Sequence, residues 1–176
     1  MQITSAMKMV SAAKLKRAQD AIVQMRPYAQ KLEEILVNVS ATLDSSEGVY
    51  SRKPEKLEKV LLVAISSNRG LCGAFNANIM KKVLAYKAQT QAEVHVFGIG
   101  KKAAEVLSKR DPDLKQVGER NAIFDNLTYE EAAQVADEFM RLFREGAYDR
   151  IELVYNRFKN AAVQHVQVEQ YLPIRE

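Results

Sequence analysis

Between residues 15 and 43 the apolar and small side chains fall at Leu15, Ala18, Ile22, Met25, Ala29, Leu32, Leu36, Val39 and Leu43. The steps alternate between three and four, which is the spacing of a coiled-coil seam. A weaker form of the pattern runs back through Val10, Met7 and Ile3. One helix over residues 3–43 is therefore predicted, roughly 60 Å long at ~1.5 Å per residue. Pro27 lies inside it, removing one backbone hydrogen bond at a cost of around 3 kcal/mol in an isolated helix. The heptad keeps its phase from Met25 to Ala29, so a single bent helix is expected rather than a break and restart. Nothing later in the 176 residues offers an apolar stripe of comparable length. The helix that covers the seam is expected from another chain or from sequence outside these residues.

After the helix the pattern changes period. Asp44-Ser45-Ser46-Glu47-Gly48 and Ser51-Arg52-Lys53-Pro54 are polar and contain breakers, which marks a linker. The expected division is residues 1–47 as the long helix and residues 57–176 as a second domain. Residues 60–66 form a continuous apolar run, as in the buried centre of a parallel sheet. An amphipathic stretch over residues 74–87 reads as the crossover helix, residues 93–98 as a second strand and residues 101–109 as a short helix. Thr128 followed by Glu131 is a capping-box pattern that opens a helix over residues 129–144, stopped at Gly146. Residues 151–155 then read as a third strand. Turn-like residues 156–160 lead to a last, alternating strand with Ala162, Val166, Val168 and Leu172 on or near one face. Strands alternating with helices predict an α/β fold, a Rossmann-like, mostly parallel domain beside a long coiled-coil helix. A compact domain of that size has a radius of gyration of about 13–14 Å, so much of the helix is expected to project from it or to lie against something else.

Composition adds limits. The hydrophobic fraction is 47% and the charged fraction 27%, values of a water-soluble globular chain. No run approaches the ~18 apolar residues of a membrane span. The start carries no signal-peptide or transit pattern, and a single cysteine fits a reducing compartment. The net charge of +4 is uneven: up to residue 31 Lys8, Lys14, Lys16, Arg17, Arg26 and Lys31 face Asp20 alone. Such a flank fits nucleic acid, an anionic membrane surface, an acidic protein surface, or simply the wet side of a coiled coil.

Candidate chemistry is sparse. Arg69-Gly70-Leu71-Cys72-Gly73 follows the first strand, where open α/β sheets place ligands. Its glycines could bare amides to a phosphate, but neither G-x-G-x-x-G nor a P-loop is present, and tight strand-to-helix packing explains Gly70 and Gly73 as well. Cys72 reads as a nucleophile with a lowered pKa or as a small packed side chain. Gly98 and Gly100 read as a turn. His95 and His165 sit in strands without a carboxylate or cysteine at metal-ligand spacing. Glu130, Glu131, Asp137 and Glu138 are most simply the wet face of a helix. No catalytic residue, metal site or cofactor is expected. A small nucleotide-binding Rossmann-type protein with a coiled-coil arm remains the alternative, and a nucleic-acid binder using the basic helix lacks interleaved aromatics.

Four segments carry a resemblance. Residues 2–15 (Gln-Ile-Thr-Ser-Ala-Met-Lys-Met-Val-Ser-Ala-Ala-Lys-Leu), Arg26-Pro27-Tyr28-Ala29, residues 67–76 around Arg69-Gly70-Leu71-Cys72-Gly73, and Val154-Tyr155-Asn156-Arg157-Phe158-Lys159 resemble the gamma subunit of F-type ATP synthases in order and spacing. The resemblance implies a central rotor stalk that couples proton translocation through the membrane sector to ATP synthesis or hydrolysis at the beta subunits. It implies a non-catalytic subunit, peripheral to the bacterial inner membrane on its cytoplasmic side or to an equivalent organelle membrane, and no nucleic acid. Met7, Lys8, Lys14 and Arg17 then meet the alpha and beta ring. Leu15, Ile22, Met25, Leu32, Leu36 and Leu43 pack against a C-terminal gamma helix absent here. The loop of Arg69, Gly70, Cys72 and Gly73 lies on the side of the epsilon subunit and the ring of c subunits. Such gamma chains carry further sequence at both ends, so this chain is expected to be a fragment. The chloroplast form carries a redox cysteine pair, and a lone Cys72 argues against thiol regulation.

Overall fold

The computed structural model describes residues 2–42, 48–70, 72–125 and 127–175. Seam position Leu43 and linker residues 44–47 lie outside them. The chain falls into two units, Met1–Leu43 and Asp44–Arg175.

The first unit is one helix, α1 (Gln2–Thr42), which continues through Pro27. A break there would have disrupted the heptad phase, and the chain instead tolerates one missing N–H donor.

The second unit is a five-stranded sheet with three helices. In chain order it runs β1 (Lys59–Ile65), α2 (Phe75–Gln89), β2 (Glu93–Ile99), α3 (Lys101–Arg110), β3 (Lys115–Arg120), α4 (Tyr129–Arg144), β4 (Arg150–Phe158) and β5 (Gln164–Leu172). The spatial order is β3-β2-β1-β4-β5. β1 pairs in parallel with β2 and β4, β2 in parallel with β3, and β5 runs antiparallel along β4. This is the expected Rossmann-like arrangement, with its change of direction between β1 and β4.

The alternation of β1 separates two cores. Val60, Leu62 and Ala64 face Ile79, Met80 and Val83 of α2 and Ala103 and Leu107 of α3. Leu61 and Val63 face Val135, Phe139 and Phe143 of α4. α4 starts where its cap dictates: Thr128 Oγ1 accepts from the Glu131 backbone N–H at 3.2 Å.

Three local features depart from the sequence expectation. β3 (KQVGER) carries no apolar pattern because it is an edge strand with mostly exposed side chains. Asn156 belongs to β4, since the antiparallel partner β5 continues the hydrogen-bond ladder to Phe158. Ala162 precedes β5, in the connecting turn closed by Val163 N–H to Asn160 O at 3.1–3.2 Å in both directions.

Two buried polar clusters sit within these cores. On β2, buried His95 places Nδ1 2.9 Å from the Tyr148 hydroxyl and Nε2 2.6 Å from Glu93 Oε1, and the hydrogen bond holds the Glu93 carboxyl below its usual range. Tyr86 of α2 is pushed up to about 12, first by burial and then by hydrogen bonding to and repulsion from Glu152. A phenol that stays neutral in the fold lends stability fully below pH 10 and loses it as pH climbs toward about 12. Urea midpoints measured between those two values should fall less steeply for Tyr86→Phe than for the native chain. Parallel declines would assign the alkaline loss to other groups.

Candidate functional site

Two regions hold the residues singled out by sequence. The first is α1. Met7 and Lys14, seven residues apart, lie on one helix face in line with Met25, Leu32 and Leu36, with Arg17 on one flank and Lys8 on the other. The apolar members of that face are open: Met7 is 66% exposed, Leu32 49% and Leu36 47%. Leu15 and Met25 are exposed as well, and Ile22 is half-buried. Among the described residues Lys8, Lys14 and Arg17 form no ion pair. The seam spacing missed Ile35, which is 50% exposed beside Leu32, Leu36 and Val39 and widens the stripe on the C-terminal half of the helix. Reading every apolar residue on the helical wheel, instead of only the three-four steps, finds it.

The second region is the loop between β1 and α2. Its ends are locked by side chains. The Ser67 N–H donates to Asn76 Oδ1 at 3.0 Å, the Ser67 hydroxyl to Arg69 O at 2.6 Å, and Asn76 Nδ2 to Ser67 Oγ at 2.9 Å. Arg69, Gly70, Cys72 and Gly73 are exposed at the crest of this loop. Tight packing does not account for the two glycines: a Cβ at either would meet nothing within 4 Å. Gly73 is required by its φ of +57°, which turns the chain into α2. Cys72 is not packed away either. Its sulfur lies over the loop carbonyls, 3.3 Å from both Arg69 O and Gly70 O.

The first amides of α3 are filled by the β1 loop: Lys101 N–H donates to Asn68 Oδ1 at 3.0 Å, Lys102 N–H to Ser67 O at 3.0 Å and Ala103 N–H to Ser66 Oγ at 2.9 Å. Asn68 Nδ2 reaches on to Asn121 O at 2.6 Å. Three successive strand ends are thus sewn together by Ser66, Ser67 and Asn68. Sequence reasoning missed these residues because their partners lie 33 to 53 positions away.

The arrangement defines a class: a long helix with an open apolar stripe joined to a Rossmann-like domain. The chain belongs to the ATP synthase family, whose model matches residues 1–176. It is 57% identical to the ATP synthase gamma chain of Flavobacterium johnsoniae and 56% identical to that of Flavobacterium psychrophilum, in both cases over 99% of this chain and 60% of the relative. The chain therefore spans about 60% of the length of the gamma chains it matches. Among solved structures, it superposes on a chain from the central stalk and c-ring of the Tetrahymena thermophila mitochondrial ATP synthase with a TM-score of 0.74 and 30% identity, covering 97% of this chain and 72% of that one. Among the described residues no helix is long and apolar enough to cross a membrane.

Proposed function

We propose that this chain is the rotor portion of an ATP synthase gamma subunit, with residues 1–47 as the shaft helix and residues 57–176 as its globular foot. The observation that carries the reading is the open apolar stripe of α1, whose Leu32, Ile35, Leu36 and Val39 are each about half exposed. A shaft breaks no bonds. It transmits twist, and needs stiffness and an asymmetric surface, both of which a paired helix supplies. A second gamma helix covers Leu15, Ile22, Met25, Leu32, Leu36 and Leu43. Met7, Lys8, Lys14 and Arg17 meet acidic groups of the alpha and beta ring, and the crest of Arg69, Gly70, Cys72 and Gly73 turns toward the epsilon subunit and the c-ring. Rotation couples proton flow through the membrane sector to ATP synthesis or hydrolysis at the beta subunits. In this reading the chain has no catalytic site or cofactor of its own and is peripheral to the membrane, on the cytoplasmic side in a bacterium.

Against the nucleotide-binding alternative, calorimetric titration with nucleotides should give no heat of binding. The ring contact is tested by Lys14→Glu with Arg17→Glu in the full-length gamma chain assembled with alpha and beta subunits. Exposed charge pairs are worth ~0.2–1 kcal/mol each, so reversal of two should weaken retention of gamma several-fold at low salt and less at high salt. Equal retention of native and reversed chains at low salt would remove these residues from the interface.

A further inference from the structure

The globular unit, Asp44–Arg175, is fastened to itself where its sequence begins and where it ends. Near its start the short turn Val49–Ser51 is closed by Ser51 N–H to Gly48 O at 3.0 Å. At its end, buried Leu172 and Pro173 lead to Ile174. The two segments meet, because the Ile174 N–H donates to Tyr50 O at 2.8 Å. Both side chains pack against the core that holds Phe139 and Phe143 of α4. Each segment has a second anchor. Arg52 Cζ lies 5.6 Å from the centroid of the Phe143 ring, which is fully buried, and Gln170 Nε2 donates to Pro173 O at 2.6 Å. The entry of the unit is thus tied to α4, its exit to β5, and the two to each other. Neither segment adds a strand: β1 starts only at Lys59 and β5 ends at Leu172.

Resting on the rotor reading, the geometry points to the Tyr50–Ile174 clasp as the mount through which the globular foot passes torque to the shaft. The chain runs from α1 into the foot through the residues just before Tyr50. A full-length gamma chain that continues past residue 176 leaves the foot just after Ile174. A single loose chain end carries twist poorly, because every residue in it turns about two soft backbone dihedrals. Two segments held side by side on one packed core resist twist as a couple. Tyr50, Arg52 and Ile174 are therefore positioning residues, which act on rotation through the stiffness of the joint.

The test attaches a bead to exposed Cys72 of the full-length gamma chain, held in an immobilised ring of alpha and beta subunits with any other cysteine replaced. Its angular fluctuation is recorded while nucleotide is withheld. Tyr50→Gly with Ile174→Gly removes both side chains of the clasp and should raise the variance of the angle about twofold or more, because a loosened mount behaves as a linker. Arg52→Ala, which leaves the clasp hydrogen bond in place, should raise it less. Val83→Ala truncates a fully buried side chain in the other core and should leave the variance unchanged, which separates a mount from a general loss of stability. Thermal midpoints show which chains are folded, and if the glycine pair is not, Arg52→Ala against Val83→Ala decides. A variance that the clasp variants leave unchanged, or that Val83→Ala raises equally, overturns the mount. If the native bead still turns when ATP is supplied, the rotor reading stands without it. If the native bead never turns, both fall.

Discussion

Gly100→Ala is expected to cost about 3 kcal/mol or more, enough to leave a domain of ordinary stability largely unfolded at modest urea. Gly100 has a φ of +94°, and a Cβ built there lies 2.1 Å from Ser66 O and 2.7 Å from Ser66 C. Neither side can yield. The Ser66 N–H donates to Ile99 O at 2.7 Å, its hydroxyl donates to Gly100 O at 3.0 Å, and its Oγ accepts from Ala103 N–H at 2.9 Å. The clash therefore falls on backbone atoms at the point where the β1 loop caps α3. The comparison is Gly70→Ala, where nothing lies within 4 Å, and a change within about 0.5 kcal/mol is expected. Urea denaturation followed by circular dichroism reads both. Similar midpoints for the two variants would show that the Ser66–Gly100 approach is not a fixed feature of the fold.

Leu32→Glu combined with Leu36→Glu is expected to leave the unfolding of the globular unit within about 0.5 kcal/mol of the native chain. In the full-length gamma chain the same pair should destroy the shaft. Covering two leucines is worth ~1.5–3 kcal/mol each, so helix pairing should weaken by at least about a hundredfold, as each 1.4 kcal/mol is a factor of ten. The loss easily exceeds that from Lys14→Glu with Arg17→Glu, because burying a carboxylate in an apolar seam adds its desolvation cost. Hydrogen exchange along α1 is the direct readout. Protection that survives both glutamates would mean that the stripe is not the pairing surface.

Legibility followed burial. β1 announced itself because five successive residues, Val60 to Ala64, are buried, and α4 because Thr128 caps it and Val135, Phe139 and Phe143 repeat at steps of four. β3 was illegible for the opposite reason. As an edge strand of charged and polar residues it has no buried face to betray it, and that polarity protects an exposed edge from pairing with other chains. In the candidate site the three-four spacing picked out residues of the exposed stripe on α1, yet it omitted Ile35, which lies beside it. Gly100 could be read as a turn, but the closeness of Ser66 is a tertiary fact carried by residues 34 apart in sequence.

A shaft must turn. Cys72 is the single cysteine of these 176 residues and it is exposed, so a bead can be attached there in a full-length gamma chain held within an immobilised ring of alpha and beta subunits, with any other cysteine of the assembly replaced. With ATP supplied, the account predicts sustained rotation of the bead in one sense, ending when nucleotide is withdrawn. ATP hydrolysis that proceeds while the bead only diffuses about its tether would contradict it.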